Sequence, residues 1–306
     1  MAKILIATEK PFAKVAVDGI KEVAETAGLE VVLLEKYTEK AQLLAAVADV
    51  EAMIIRSDKI DNEVFDAAKN LKIVVRAGAG YDNVDLAAAT AHGVVVMNTP
   101  GQNSNAVAEL VFGMLVFAVR NFYNGKAGTE LKGKKLGILA YGNVGRRVAH
   151  IAKGFDMDVY AYDAYCPAAA IESDGVKAVS SQDELFEKCE VVSLHIPATA
   201  ETRQSINYAL VGKMPKGGVL VNTARKEGIN ETELLELMQE RTDLKYVTDI
   251  MPEADADFRI LEGRYFSTPK KMGAQTAEAN INAGVAAAHQ IAAFFKDGCT
   301  KYQVNK

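Results

Sequence analysis

Short apolar runs recur along the chain with room for one helix between each pair. KILIAT from Lys3, EVVLLE from Glu30, AMIIRS from Ala52, KIVVRAG from Lys72 and GVVVMNTP from Gly93 are rich in β-branched residues and do not alternate with polar ones. That is the pattern of parallel strands covered on both faces. Alanine-rich amphipathic stretches such as 15–27 and 41–48 separate them, so the first 99 residues read as a doubly wound α/β domain.

The pattern then restarts. Residues 136–163 read LGILAYGNVGRRVAHIAKGFDMDVYAYD, which predicts a strand, a glycine-rich turn, a helix and a second strand ending on an acid. Further strands are predicted at 191–195, 219–222 and 246–250. The last helical stretch, 276–296, has no strand after it, and so it can pack back on the first domain. The expected organisation is one domain of residues 1–99 and 281–306, with a second domain of residues 100–280 inserted into it and a cleft between them. The most apolar stretch, 107–119, carries Glu109 and is too short to span a bilayer.

Each part of the 136–163 unit has a physical use. Gly142 lets the backbone approach a pyrophosphate, Gly145 lets the helix pack on the sheet, and the helix N-terminus carries partial positive charge. Asp163, eighteen residues beyond Gly145, can accept from adenosine ribose hydroxyls. It would repel a 2′-phosphate, while Ala164 and Tyr165 offer no cation, so NAD is favoured over NADP. The first glycine position of the fingerprint holds Ala140, and the turn must tolerate its methyl group.

The chain has 306 residues, 49% of them hydrophobic, and a formal charge of −5. That balance disfavours nucleic acid and anionic membrane as partners and points to a small-molecule substrate. Cys166, Cys189 and Cys299 are widely spaced, without histidine at ligand spacing, so reduced thiols, no metal site and a cytoplasmic location are expected.

Several dispersed segments together resemble one family. VRAGAGYDNVDLAAAT from Val75, VVVMNTPGQNSNAVAEL from Val94, the fingerprint, SLHIPATAET from Ser193 and VNTARKEGI from Val221 are similar to segments of the D-2-hydroxyacid dehydrogenases, above all of their phosphoglycerate dehydrogenase branch. The resemblance implies a Rossmann NAD-binding domain inserted into a flavodoxin-like substrate domain, and a homodimer through the NAD domain. The implied activity is NAD-dependent oxidation of D-3-phosphoglycerate, opening serine biosynthesis. The rival readings are a glyoxylate or hydroxypyruvate reductase and a non-catalytic NAD(H)-sensing interaction protein.

For the cofactor, the resemblance implies Tyr141, Gly142, Asn143, Val144, Gly145, Asp163, His195, Pro197, Thr202, Thr223, Ala224 and Asp249. Arg225 fills the position whose arginine binds the substrate carboxylate and 2-oxo group, as a planar guanidinium can. The family's catalytic histidine stands in a Pro-His-x-Gly element, but here the stretch is TPKKMG. Counting back from Gly273 puts Lys271 in the slot, and counting forward from Pro269 puts Lys270 there; Lys271 is chosen because the glycine fixes the turn. A lysine base has to lose its proton against a reference pKa of about 10.4, so its surroundings must favour the neutral form. Glu253, one place early in the element that supplies the family's glutamate, is the candidate assistant. For substrate, the amides of Gly78, Ala79 and Gly80 could form a nest for the carboxylate. The resemblance implies Arg56, with Ser57 and Lys59, on the phosphate side, and Arg76, which ends a neighbouring strand, is a further candidate for the substrate.

Overall fold

The structure is a computed structural model describing residues 1–306. The chain forms two compact units, one of Met1–Asn103 with Thr276–Lys306 and one of Ser104–Gln275.

In the first unit the strands β1 (Lys3–Thr8), β2 (Glu30–Glu35), β3 (Ala52–Ile55), β4 (Ile73–Arg76) and β5 (Val95–Asn98) form a parallel sheet in the order β2-β1-β3-β4-β5. This is the flavodoxin-like order. Successive strand residues face opposite cores: Ile4, Ile6, Ile54 and Val75 pack on one face, and Leu5, Ala7, Ile55 and Val74 on the other. Both cores are apolar, which is why β1, β3 and β4 show no polar alternation. β2, expected to be covered on both faces, is instead an edge strand with no fully buried residue, because it has a neighbour on one side only. The helix Ala277–Asp297, capped by the Thr276 hydroxyl, lies against the helix Lys14–Thr26 of this unit. Two glycines permit the approach. A Cβ on Gly19 would stand 2.9 Å from Val285 Cγ2, and one on Gly284 would stand 3.1 Å from Ile20 Cδ1.

The second unit holds β6 (Lys135–Leu139), β7 (Asp158–Tyr162), β8 (Lys177–Ala178), β9 (Val191–Leu194), β10 (Val219–Asn222), β11 (Lys245–Thr248) and β12 (Tyr265–Ser267). They form a parallel sheet in the order β12-β11-β10-β9-β6-β7-β8. Numbered within the unit this is 3-2-1-4-5-6-7, the doubly wound nucleotide-binding order with one added strand. The order reverses between β6 and β9, where the carboxyl ends of such strands open a ligand crevice. The apolar 107–119 stretch belongs to a buried helix, Ser104–Val119. Its Val111 and Leu115 share a core with Val148 and Ala152 of the helix Asn143–Gly154 and with Leu136, Ile138 and Val191 of the sheet.

Candidate active site

The turn after β6 begins at Ala140, whose φ is +77°, a left-handed conformation that suits glycine. Gly142 caps the helix Asn143–Gly154 without a side-chain bond, and a Cβ added to it would meet nothing within 4 Å. Gly142 and Asn143 are exposed, so the start of the helix, whose first amides have no intrahelical partner, is accessible to a pyrophosphate. Gly145 has a different role. A Cβ there would stand 2.5 Å from the Ala140 carbonyl oxygen and 3.0 Å from Ile138 Cγ2, so only glycine allows the helix to lie this close to the strand.

Asp163 ties this turn to the next loop. Its Oδ2 accepts from Tyr141 N at 2.6 Å, and its Oδ1 accepts from Tyr165 N at 2.7 Å and Cys166 N at 2.8 Å. A carboxylate has about four acceptor positions, so room for a ribose hydroxyl remains. The Tyr141 side chain, expected to touch the cofactor, is instead buried. Its hydroxyl reaches Asp174 at 3.2 Å, its ring lies 4.8 Å from the Arg146 guanidinium, and Arg146 is paired with Asp174. Burial, with help from Asp174, pushes the phenol up to about 12. Tyr141 thus has both its amide and its hydroxyl committed to the fold, its ring sharing the core with Val148 and Ala152 of the helix.

At the end of β9, His195 N donates to Leu139 O at 2.9 Å, and the ring meets Ser193 Oγ at 3.0 Å. Burial pushes this imidazole down to about 3. It is neutral at physiological pH and unsuited to acid–base work. Pro197 O accepts from Thr202 Oγ1 at 2.5 Å, closing the loop that follows.

The ends of β10 and β11 gather the rest. Thr223 Oγ1 and Asp249 Oδ1 are buried and have no hydrogen-bond partner. Asp249 Oδ2 accepts from Gly273 N at 2.6 Å. Burial raises the Asp249 pKa, against the opposing pull of the Gly273 amide, Lys271, the Met272 amide and Arg225. The Ala224 carbonyl accepts from Arg225 Nη1 at 2.9 Å and from Lys271 Nζ at 2.8 Å. Two cations 46 positions apart in sequence thus meet at one acceptor. Asn222, which sequence reasoning passed over, shapes this loop through bonds to Ala224 N and Arg225 O. The available signal was a polar residue closing an otherwise apolar strand, VLVN.

Glu253 does not join the cluster. Its side chain is 81% exposed and paired with Lys226 at 2.9 Å, and Lys226 holds the carboxyl below its ordinary value. Having the acid one place early in the segment moves it onto a surface ion pair, which removes the expected assistance to Lys271.

In the other unit Arg56 is also largely committed. Nη1 donates to Lys10 O at 2.9 Å and Pro11 O at 3.1 Å, Nη2 donates to Asn280 Oδ1 at 2.7 Å, and the guanidinium lies 5.2 Å from the Phe12 ring centroid. It fastens the β1 loop to the helix Ala277–Asp297 and is not displayed for a phosphate. Gly78 N donates to Arg76 O at 2.8 Å, so the expected carboxylate nest loses that amide and leaves those of Ala79 and Gly80. Arg76 Nε donates to Arg56 O at 3.0 Å, and its guanidinium occupies the space where a Gly78 Cβ would sit. Ser57 is exposed beside this group.

The chain is similar to known dehydrogenases in sequence and in fold. Residues 113–265 match the model for the D-isomer specific 2-hydroxyacid dehydrogenase NAD binding domain. The chain is 34% identical over 291 residues to a D-3-phosphoglycerate dehydrogenase of Methanocaldococcus jannaschii, covering 90% of this chain and 55% of that protein. It therefore spans about half the length of that relative. It is 34% identical over 281 residues to a hydroxypyruvate reductase of Thermotoga maritima, covering 86% of this chain and 90% of that protein. The crystal structure of NAD+-bound 3-phosphoglycerate dehydrogenase of Entamoeba histolytica superposes with a TM-score of 0.88 at 49% identity, covering 100% of this chain and 99% of that one.

Proposed function

The chain belongs to the D-isomer specific 2-hydroxyacid dehydrogenase family, and within it we propose that this protein oxidises D-3-phosphoglycerate to 3-phosphohydroxypyruvate with NAD, and catalyses the reverse reduction, as the first step of L-serine biosynthesis. The observation that carries the reading is the meeting of Arg225 and Lys271 at the Ala224 carbonyl.

The strand ends suit NAD. The open helix N-terminus at Gly142 to Gly145 fits a diphosphate, and Asp163 has acceptor capacity left for a ribose. The unpartnered oxygens of Thr223 and Asp249 are ready for polar groups farther along, with His195, Pro197, Thr202 and Ala224 lining the way. Bound NAD supplies the acceptor for the two electrons removed from C2. The chain's own residues do the remainder. Arg225 binds the substrate carboxylate and stabilises negative charge on the C2 oxygen. Lys271, as the free amine, takes the hydroxyl proton at Nζ; in the reducing direction its ammonium gives the proton back. Arg76, Ser57 and the amides of Ala79 and Gly80 are our candidates for the anionic end of the substrate. We further propose a cytoplasmic location, in keeping with three unpaired cysteines, and a homodimer through the NAD-binding unit, to be checked by light scattering.

A second reading, reduction of hydroxypyruvate, is favoured by the structural commitment of Arg56 and by the Thermotoga relative. Initial rates of NADH oxidation with 3-phosphohydroxypyruvate, hydroxypyruvate and glyoxylate separate the two. The phosphorylated acid is expected to give the highest kcat/KM, and Lys271→Ala to lose about 10²-fold or more in kcat. No turnover of any of the three would overturn the dehydrogenase reading. Unchanged turnover in Lys271→Ala would overturn the lysine assignment and turn attention to Lys270.

A further inference from the structure

Asn222 is the last residue of β10 and is 1% exposed. A buried amide must have its hydrogen bonds satisfied, and here both ends are used on the same loop. Oδ1 accepts from Ala224 N at 3.0 Å, and Nδ2 donates to Arg225 O at 3.1 Å. Behind it, the Asn222 carbonyl accepts from Thr248 Oγ1 at 2.9 Å and from Asp249 N at 3.2 Å, so the residue is itself fixed to β11.

Peptide units are planar, and the backbone between them is free only at φ and ψ. Ala224 N belongs to the peptide plane before the Ala224 carbonyl, and Arg225 O belongs to the plane after it. One side chain therefore fixes the two planes flanking the plane that carries the shared acceptor. With both neighbours held, the Ala224 carbonyl has one direction left to it. Lys271 Nζ and Arg225 Nη1 both end on that oxygen.

We infer that Asn222 is a positioning residue: through the peptide planes around Ala224 it aims the carbonyl that sets Lys271 and Arg225 at a fixed mutual distance. The inference rests on the proposed proton transfer by Lys271. A four-carbon lysine stem has many rotamers, and a proton must pass to the same oxygen that Arg225 polarises. A misplacement of about 1 Å in such an arrangement can cost about 10²-fold in rate. A merely structural Asn222 would matter for stability and leave the environment of Lys271 alone.

The test uses the full chain with Asn222→Ala, which loses both bonds, and Asn222→Ser, whose hydroxyl can still accept from Ala224 N. Acetylation of Lys271 by a trace of acetic anhydride is followed across pH by mass spectrometry, with Lys270 as internal reference. In parallel, kcat and KM are measured with 3-phosphohydroxypyruvate and NADH. In Asn222→Ala the Lys271 labelling curve is expected to shift relative to that of Lys270, and kcat to fall about 10- to 100-fold with little change in the KM for NADH. Asn222→Ser should lie between; if Asn222→Ala does not fold, the serine variant carries the test. A Lys271 curve that overlays the wild-type curve while the wild-type enzyme turns over would overturn the inference and leave the proposed function standing. A shifted curve in a protein that turns over none of the three acids would overturn the function and leave Asn222 as the residue that places Lys271.

Discussion

Replacing Ala140 with glycine should stabilise the NAD-binding unit, the reverse of what Ala→Gly does inside a helix or strand. Ala140 sits at φ +77°, and the left-handed region costs an L-residue roughly 1–2 kcal/mol. Glycine removes that cost. Against it stand about 0.4–1 kcal/mol for the greater freedom of glycine in the unfolded chain and about 0.4 kcal/mol for a half-buried methyl. The balance is about 0.5 kcal/mol in favour of the glycine variant. The control is Ala152→Gly, at a fully buried position in the helix Asn143–Gly154. There no strain is relieved, and a loss of about 1 kcal/mol or more is expected. Urea unfolding of the full chain, followed by circular dichroism with and without NAD, gives the comparison. The transition that NAD moves reports the unit containing Ala140, since a ligand stabilises the unit it binds. If Ala140→Gly lowers that midpoint as the control does, the turn is not strained at Ala140 and the reasoning fails.

Gly273→Ala would put a Cβ 2.8 Å from Asp249 Oδ2 and 3.2 Å from Val107 Cγ2, breaking the Gly273 bond to a buried carboxylate. A loss of about 2–3 kcal/mol is expected in urea, and an unchanged midpoint would show that the loop yields. Arg56→Ala should cost about 2–3 kcal/mol through lost charge-assisted bonds to Lys10, Pro11 and Asn280. It should change KM for phosphorylated and unphosphorylated acids by the same factor; a rise confined to the phosphorylated acid would restore Arg56 to the substrate. His92 offers a pH test. Nδ1 lies 2.8 Å from Ala88 O and Nε2 lies 3.0 Å from Asp66 Oδ1, so only the imidazolium can donate to both. The Ala88 carbonyl, then Asp66, raises its pKa above 6.5. The stabilisation is complete below the unfolded value and is lost as pH rises through the raised one. An NMR titration of the ring at or below 6.5 would contradict this.

The architecture was legible because both faces of each sheet are covered. Buried parallel strands need continuous apolar runs, and KILIAT, AMII and VLVN carry them without help from distant residues. The exceptions have a common cause. β8 at Lys177–Ala178 and β12 at Tyr265–Ser267 are short strands at the sheet edges, where one neighbour supplies the pairing and the local sequence need not. The fingerprint was equally legible, down to the alanine that stands in its first position.

Side-chain roles were less so, because donors and acceptors are claimed by partners far away in sequence. Arg56 looked free for a phosphate until Asn280 and the Lys10 carbonyl met it. Glu253 looked like the partner of a catalytic base until Lys226 took it, and the Gly78 amide turned back to Arg76. Sequence alone determined the two sheets, the dinucleotide turn and the residue types able to do the chemistry, because these follow from hydrophobic period and local backbone freedom. Only the tertiary structure decided which polar groups were already satisfied, and it left Arg225 and Lys271 together on the Ala224 carbonyl. Hydrogen-bond satisfaction is a property of the folded neighbourhood and has no period for a sequence to display.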